Sequence, residues 1–125
     1  LHIGGAPRVL LAGLPDDRVW EILNGPLVPW TSKTPTDPNI LWVIVEEVRR
    51  RGYSVSEEDV TLGIAAIGAP IFDQTGMVIG AISISGTVQR FAEPRRSQLI
   101  RWVMAAAQGI SRRMGYRGPF VQCVE

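Results

Sequence analysis

Two serines at alternate positions, Ser83 and Ser85, stand near the end of an apolar run that follows an Asp-x-x-Gly turn, Asp73-Gln74-Thr75-Gly76. Alternate positions of a β-strand share one face, so both hydroxyls can serve a single bound group as donors or acceptors. The run before the turn is equally apolar. Residues 63–86 therefore read as a β-hairpin with long arms, and Gly76 is free to take a positive φ. Pairing Phe72 with Met77 sets Ala66 opposite Ser83 and Ile64 opposite Ser85. The shared face then carries two hydroxyls, small side chains and aliphatic walls. Such serines are either core residues bonded back to the main chain or the polar end of a ligand pocket, and the residues taken alone favour the core reading.

A second candidate lies at the start of the chain. Leu1-His2-Ile3-Gly4-Gly5-Ala6-Pro7 is a small-residue loop leading into a short helix, Arg8 to Ala12, with Pro7 at its first position and Gly13 closing it. Free N–H groups at such an N-terminus can face an anion, with glycines permitting close approach; the alternative is a tight entry turn against the sheet. His2 is the single histidine and so the one candidate base for a nucleophilic Ser83 or Ser85. No Gly-x-Ser-x-Gly elbow accompanies it, and its position suits a structural residue at a strand–helix junction. Glu57-Glu58-Asp59 pairs carboxylates that could do acid–base work, but a solvated acidic turn is the default.

Several elements must position these residues. A helix opens at Pro15-Asp16-Asp17, with acids suited to its dipole, and ends at Asn24-Gly25-Pro26. Residues 26–38 hold four prolines and form a loop, in which Trp30 either anchors on the core or covers a pocket. Asp37 caps a third helix with Pro38 at its first position; Ile40, Leu41, Ile44, Val45 and Val48 give it an apolar stripe, and Arg49-Arg50-Arg51-Gly52 suits its C-terminal end. Tyr53 to Ser56 is a short strand. The last helix starts at Glu93-Pro94, lines one face with Leu99, Val103, Ala107, Ile110 and Met114, and ends at Gly115. The tail, residues 116–125, is not clearly helical. This order predicts an α+β domain with helices packed on an antiparallel sheet. Two or three strands make a small sheet, and further strands are expected upstream of Leu1.

Composition narrows the function classes. The chain has 125 residues, 46% hydrophobic and 20% charged, which fits one compact domain with a real core. A net charge of +1 gives no broad footprint for nucleic acid, and Arg49 to Arg51 are explained by the helix dipole. One cysteine, Cys123, and one histidine exclude a disulfide framework and a Cys/His metal cluster within the chain. No apolar run approaches the roughly 18 residues of a membrane span, so a cytoplasmic chain is expected. Nothing calls for a cofactor.

LHIGGAPRVLLAGLPDD, then RRRGYSVSEED, then LGIAAIGAPIFDQTGMVIGAISISG, followed by Arg90, resemble the effector-binding domain of IclR-type bacterial transcriptional regulators. The resemblance runs over residues 1–116. It implies a GAF-like fold, and a chain lacking the family's winged helix-turn-helix and the first strands of the effector domain. Such regulators bind small organic acids, use the complex to control promoter binding, and assemble as dimers or tetramers. The resemblance places Gly5 and Ala6 in the effector-contacting loop and Ser83 and Ser85 at two effector-contacting hydroxyls. It makes Ile64 and Ala66 wall positions, and it sets Ser56 where an Asp often contacts effector. Promoter DNA would be met only through the missing N-terminal domain.

The hairpin face and the resemblance meet on Ile64, Ala66, Ser83 and Ser85, which turns the reading of the serines from core to pocket. This sequence departs from the family where Pro7-Arg8 replaces a common Gly-Lys, where Ala65-Ala66 replaces a pair often Arg and Cys or Ser, and at Ser56. Those changes remove charge from the pocket and point to a more apolar or larger acid than a two- or three-carbon keto acid. Three rivals remain: a ligand-free assembly module, a small hydrolase using Ser83 or Ser85, and a GAF-like domain for a cyclic nucleotide or chromophore, which Cys123 and the lack of an arginine-rich phosphate pocket disfavour.

Overall fold

The computed structural model describes residues 2–120. Three helices, α1 (Gly5–Ala12), α2 (Asp16–Leu23) and α3 (Pro38–Arg51), precede three strands, β1 (Ser54–Glu57), β2 (Ile64–Phe72) and β3 (Val78–Thr87). A 3-10 turn, Val88–Phe91, leads into a long helix, α4 (Arg95–Arg113). The strands form one antiparallel sheet in the order β1-β2-β3, so the expected α+β architecture is the one observed.

The sheet separates two apolar cores. Ala65, Ile67 and Ala69 of β2 point to one side, where Leu99, Ile100, Val103, Met104 and Ala107 of α4 cover them. On the other side α1 lies against β2 and β3. Behind it, Val9 and Leu11 pack with Val19 and Leu23 of α2 and Leu41, Val45 and Val48 of α3. Asp37 caps α3 by accepting from the Asn39 N–H at 2.8 Å, and Gly52 ends it at φ 83°, a left-handed conformation natural to glycine. Among the described residues, no helix is long and apolar enough to cross a membrane.

Four local expectations change. α1 begins at Gly5, not at Arg8, so Pro7 stands inside its first turn. Ile40 is exposed on α3, while Ile110 and Met114 turn outward on α4, where Ser111 takes the buried position and bonds the Ala107 carbonyl at 2.8 Å. The acidic turn is not a solvated trio: Glu57 meets Arg96, Glu58 meets Lys33, and Asp59 is 1% exposed. The hairpin register is also displaced. Phe72 pairs with Val78 rather than Met77, and a bulge next to it shifts the ladder again, giving Ala66↔Ser85, Gly68↔Ser83 and Ile64↔Thr87. Each step moves the pairing by one residue. Two such steps restore the parity, so the serines keep the face expected of them while their partners change.

Candidate functional site

Two rows cross the sheet on the α1 side. Ser54, Gly68 and Ser83 lie side by side in one, and Ser56, Ala66 and Ser85 in the next. Each row is serine, small residue, serine. The small residue in the middle is needed because the start of α1 rests there. A Cβ on Gly68 would lie 2.6 Å from the Gly5 carbonyl carbon and oxygen, and one on Gly5 would lie 3.1 Å from the Gly68 nitrogen. Two glycines facing each other let a helix N-terminus sit on the backbone of a central strand.

The inner serines hold that helix in place. Ser54 is buried and its hydroxyl donates to the Gly5 carbonyl at 2.5 Å. Ser56 is buried and its hydroxyl donates to Asp59. Asp59 also accepts from the Gly4 N–H at 3.1 Å and pairs with the Arg8 guanidinium at 2.8 Å. Arg8, itself buried, donates further to the carbonyls of His2 (3.1 Å) and Val55 (3.2 Å). Burial pushes the Arg8 guanidinium below its ordinary range, and the Asp59 charge opposes that shift. The pair is satisfied on every side, as a desolvated ion pair must be. The loop of residues 28–34 closes over it: Thr34 donates to the Asp59 carbonyl at 2.5 Å, Thr31 to the Glu58 carbonyl at 2.6 Å, and the His2 ring meets the Val28 carbonyl at 3.1 Å.

The outer serines differ. Ser83 and Ser85 are exposed, and neither hydroxyl has a hydrogen-bond partner among the described residues. The N–H groups of Gly5 and Ala6, in the first turn of α1, also take no partner there, as expected of helix N-terminal donors. Ser83 stands across from Gly68, on which Gly5 and Ala6 rest, so the free hydroxyls and free N–H groups face one region. Apolar side chains stand beside it: Ile64 is exposed at the end of β2, Val60 packs over Gly4, and Leu62 is exposed on the segment that joins them.

Of the seven residues singled out, Gly5, Ala6, Ala66, Ser83 and Ser85 thus come together on one face, and Ile64 lies at its edge. Ser56 shares the row but is buried, with its hydroxyl engaged by Asp59. Trp30 does not anchor its loop; Thr31 and Thr34 do, and the indole is 65% exposed. Arg8, Ser54, Asp59 and Gly68 were missed as parts of this site. A lone glycine within an apolar strand was the one available sign of a close backbone approach.

The description "Bacterial transcriptional regulator IclR C-terminal" belongs to a family model that matches residues 1–112. The chain belongs to this family. It is 37% identical over 112 residues to the HTH-type transcriptional regulator KdgR of Escherichia coli, an alignment covering 87% of this chain and 42% of KdgR. The crystal structure of the KdgR C-terminal domain superposes with a TM-score of 0.81 at 36% identity, covering 89% of this chain and 68% of that one. A double mutant of the PobR inducer-binding domain from Acinetobacter, in complex with 3-hydroxybenzoic acid, gives a TM-score of 0.79 at 26% identity, over 88% and 64% of the two chains. The chain spans less than half the length of the full KdgR regulator. Its curated relatives are named as transcriptional regulators and repressors, not as enzymes. The one histidine of this IclR C-terminal domain, His2, bonds a main-chain carbonyl, that of Val28.

Proposed function

We propose that this IclR-family domain senses a small organic acid, and that the signal reaches promoter DNA through a DNA-binding domain elsewhere in the regulator. The observation that carries this reading is the convergence of two unpartnered hydroxyls, Ser83 and Ser85, on the unpartnered N–H groups of Gly5 and Ala6. Together they offer four donors to a carboxylate without a formal positive charge. Val60, Leu62 and Ile64 would hold the rest of the molecule, which favours an aromatic or branched-chain acid over a two- or three-carbon keto acid. The PobR domain, similar in fold, holds an aromatic acid, which supports that class. Ligand binding at the start of α1 would change how copies of the domain pack as a homodimer or homotetramer in the cytoplasm, and so the spacing of the DNA-binding domains.

One observation favours a second reading, a ligand-free assembly module: Arg8, the cation carried by the first turn of α1, is already neutralised by Asp59. A thermal-shift screen of small carboxylates and aromatic acids separates the two. A ligand at about 100 times its dissociation constant stabilises the native state by about 2.7 kcal/mol. A hit supports sensing, and a flat response across a broad panel supports assembly alone.

A further inference from the structure

The opposite end of α1 holds a second cleft of about 450 Å³, separate from the serine face. It opens because β1 is short. β1 pairs with β2 only as far as Gly68, so Ala69 to Phe72 keep a free edge between the α4 core and the α1–α3 core. That edge offers few donors: Pro70 has no N–H, and the Phe72 N–H is taken by Ser111 Oγ at 3.0 Å. The walls include Phe72, Phe120, Met77, Met104, Val9 and Val78, two aromatic rings and two thioethers among aliphatic groups. The aromatic wall is a built feature: Phe72 stacks on Tyr116 at 4.9 Å between centroids, Tyr116 meets Phe120 edge-on at 5.2 Å, and the Arg112 guanidinium lies 4.5 Å from the Phe120 ring centre.

The polar inventory of this cleft is what selects its occupant. Arg49 lines the rim, but its guanidinium is committed to the carbonyls of Ala12 (2.9 Å) and Leu14 (2.8 Å) and to Asp16 (2.6 Å). Gln108 is the other polar side chain in the lining, and its amide has no partner among the described residues. A carboxylate entering here would lose its hydration against the C-terminal ends of α1 and α3, at Gly13 and Gly52, with the rim guanidinium of Arg49 already committed. A neutral ring bearing one hydroxyl could give up water to the apolar walls and bond the Gln108 amide. We propose that this cleft is a second ligand site, for a neutral aromatic molecule with a single polar group, distinct in chemistry from the acid-binding face.

The test uses 1-naphthol as the neutral probe and 1-naphthoate as its charged counterpart, titrated into the full chain and followed by saturation-transfer NMR. Gln108→Trp fills the mouth of the cleft, and Met77→Ala shortens an exposed wall residue that the fold does not need. 1-Naphthol should bind, 1-naphthoate should not compete for this site, and each variant should weaken 1-naphthol by more than about tenfold for Gln108→Trp and by less for Met77→Ala. Ser83→Ala with Ser85→Ala should leave 1-naphthol binding unchanged, which keeps this proposal separate from the sensing reading. Equal binding of probe and carboxylate, no loss in either variant, or binding that emerges only in a chain ending at Phe120 would each overturn it; the last would make residues 121–125 the occupant.

Discussion

The two serine pairs of the sheet are alike in sequence and opposite in use. Ser54 and Ser56 on β1, and Ser83 and Ser85 on β3, flank the same two small residues of β2 in the same two rows. The β1 pair is buried and committed to the Gly5 carbonyl and the Asp59 carboxylate; the β3 pair is exposed and unpartnered among the described residues. What separates them is what lies above each strand. The start of α1 and the 28–34 loop cover Ser54 and Ser56, so those hydroxyls became fasteners, whereas α1 meets β3 at its Val78 end and leaves Ser83 and Ser85 open beside the helix N-terminus. A strand serine is structural or functional according to the neighbour that folding brings to it.

The contrast breaks first at the fastener. Asp59→Ala leaves the buried Arg8 guanidinium without its counter-charge, and should cost about 3–5 kcal/mol in urea denaturation. A loss below about 1 kcal/mol would mean that the inner row does not hold α1. Gly68→Ala comes next. Its Cβ meets the Gly5 backbone at 2.6 Å, so α1 must lift, with an expected cost of about 1–3 kcal/mol and a weakened ligand response. Ser54→Ala, which orphans no charge, should cost about 1 kcal/mol, while Ser83→Ala should stay within about 0.5 kcal/mol. Equal losses for those two would erase the distinction between the rows.

The smallest effect expected is one of pH. Lys33 holds the Glu58 carboxyl below the ordinary carboxylate range, and the Gly63 N–H adds to this. That contribution is present above the unfolded carboxylate value, about 4.3, and is lost as pH falls through the folded one. Residues 58–63, which carry Val60 and Leu62, should therefore loosen in acid before the sheet does. Amide exchange at Gly63 across that range measures it; protection that persists until global unfolding would show that the pair does not hold this segment.

Much of the scaffold was legible because its signals are local. Asp37-Pro38 and Gly52 mark the ends of α3, and Asp73 to Gly76 mark the hairpin turn, each by a requirement of the backbone itself. The sharing of a face by Ala66, Ser83 and Ser85 was legible too, since alternation survives a slip of two. Their partners were not, because the bulge at Ile71/Phe72 has no residue signature of its own. The burial of Asp59 was hidden for a different reason. Its partner Arg8 is fifty-one positions away, and no local pattern distinguishes a solvated acidic turn from one that receives a distant arginine. Ser56 likewise offered the same hydroxyl on paper as Ser83, and only the loop folded over it assigns its use.

The most direct test of the account is calorimetric titration of the acid that gives the largest thermal shift, with its neutral amide as control, into the full chain and into the Ser83→Ala, Ser85→Ala variant. If the outer serines and the start of α1 hold a carboxylate, the acid binds, and both the amide and the double variant lose about tenfold or more in affinity. A double variant that binds the acid as tightly as the unmodified chain, with its melting temperature unchanged, would contradict it.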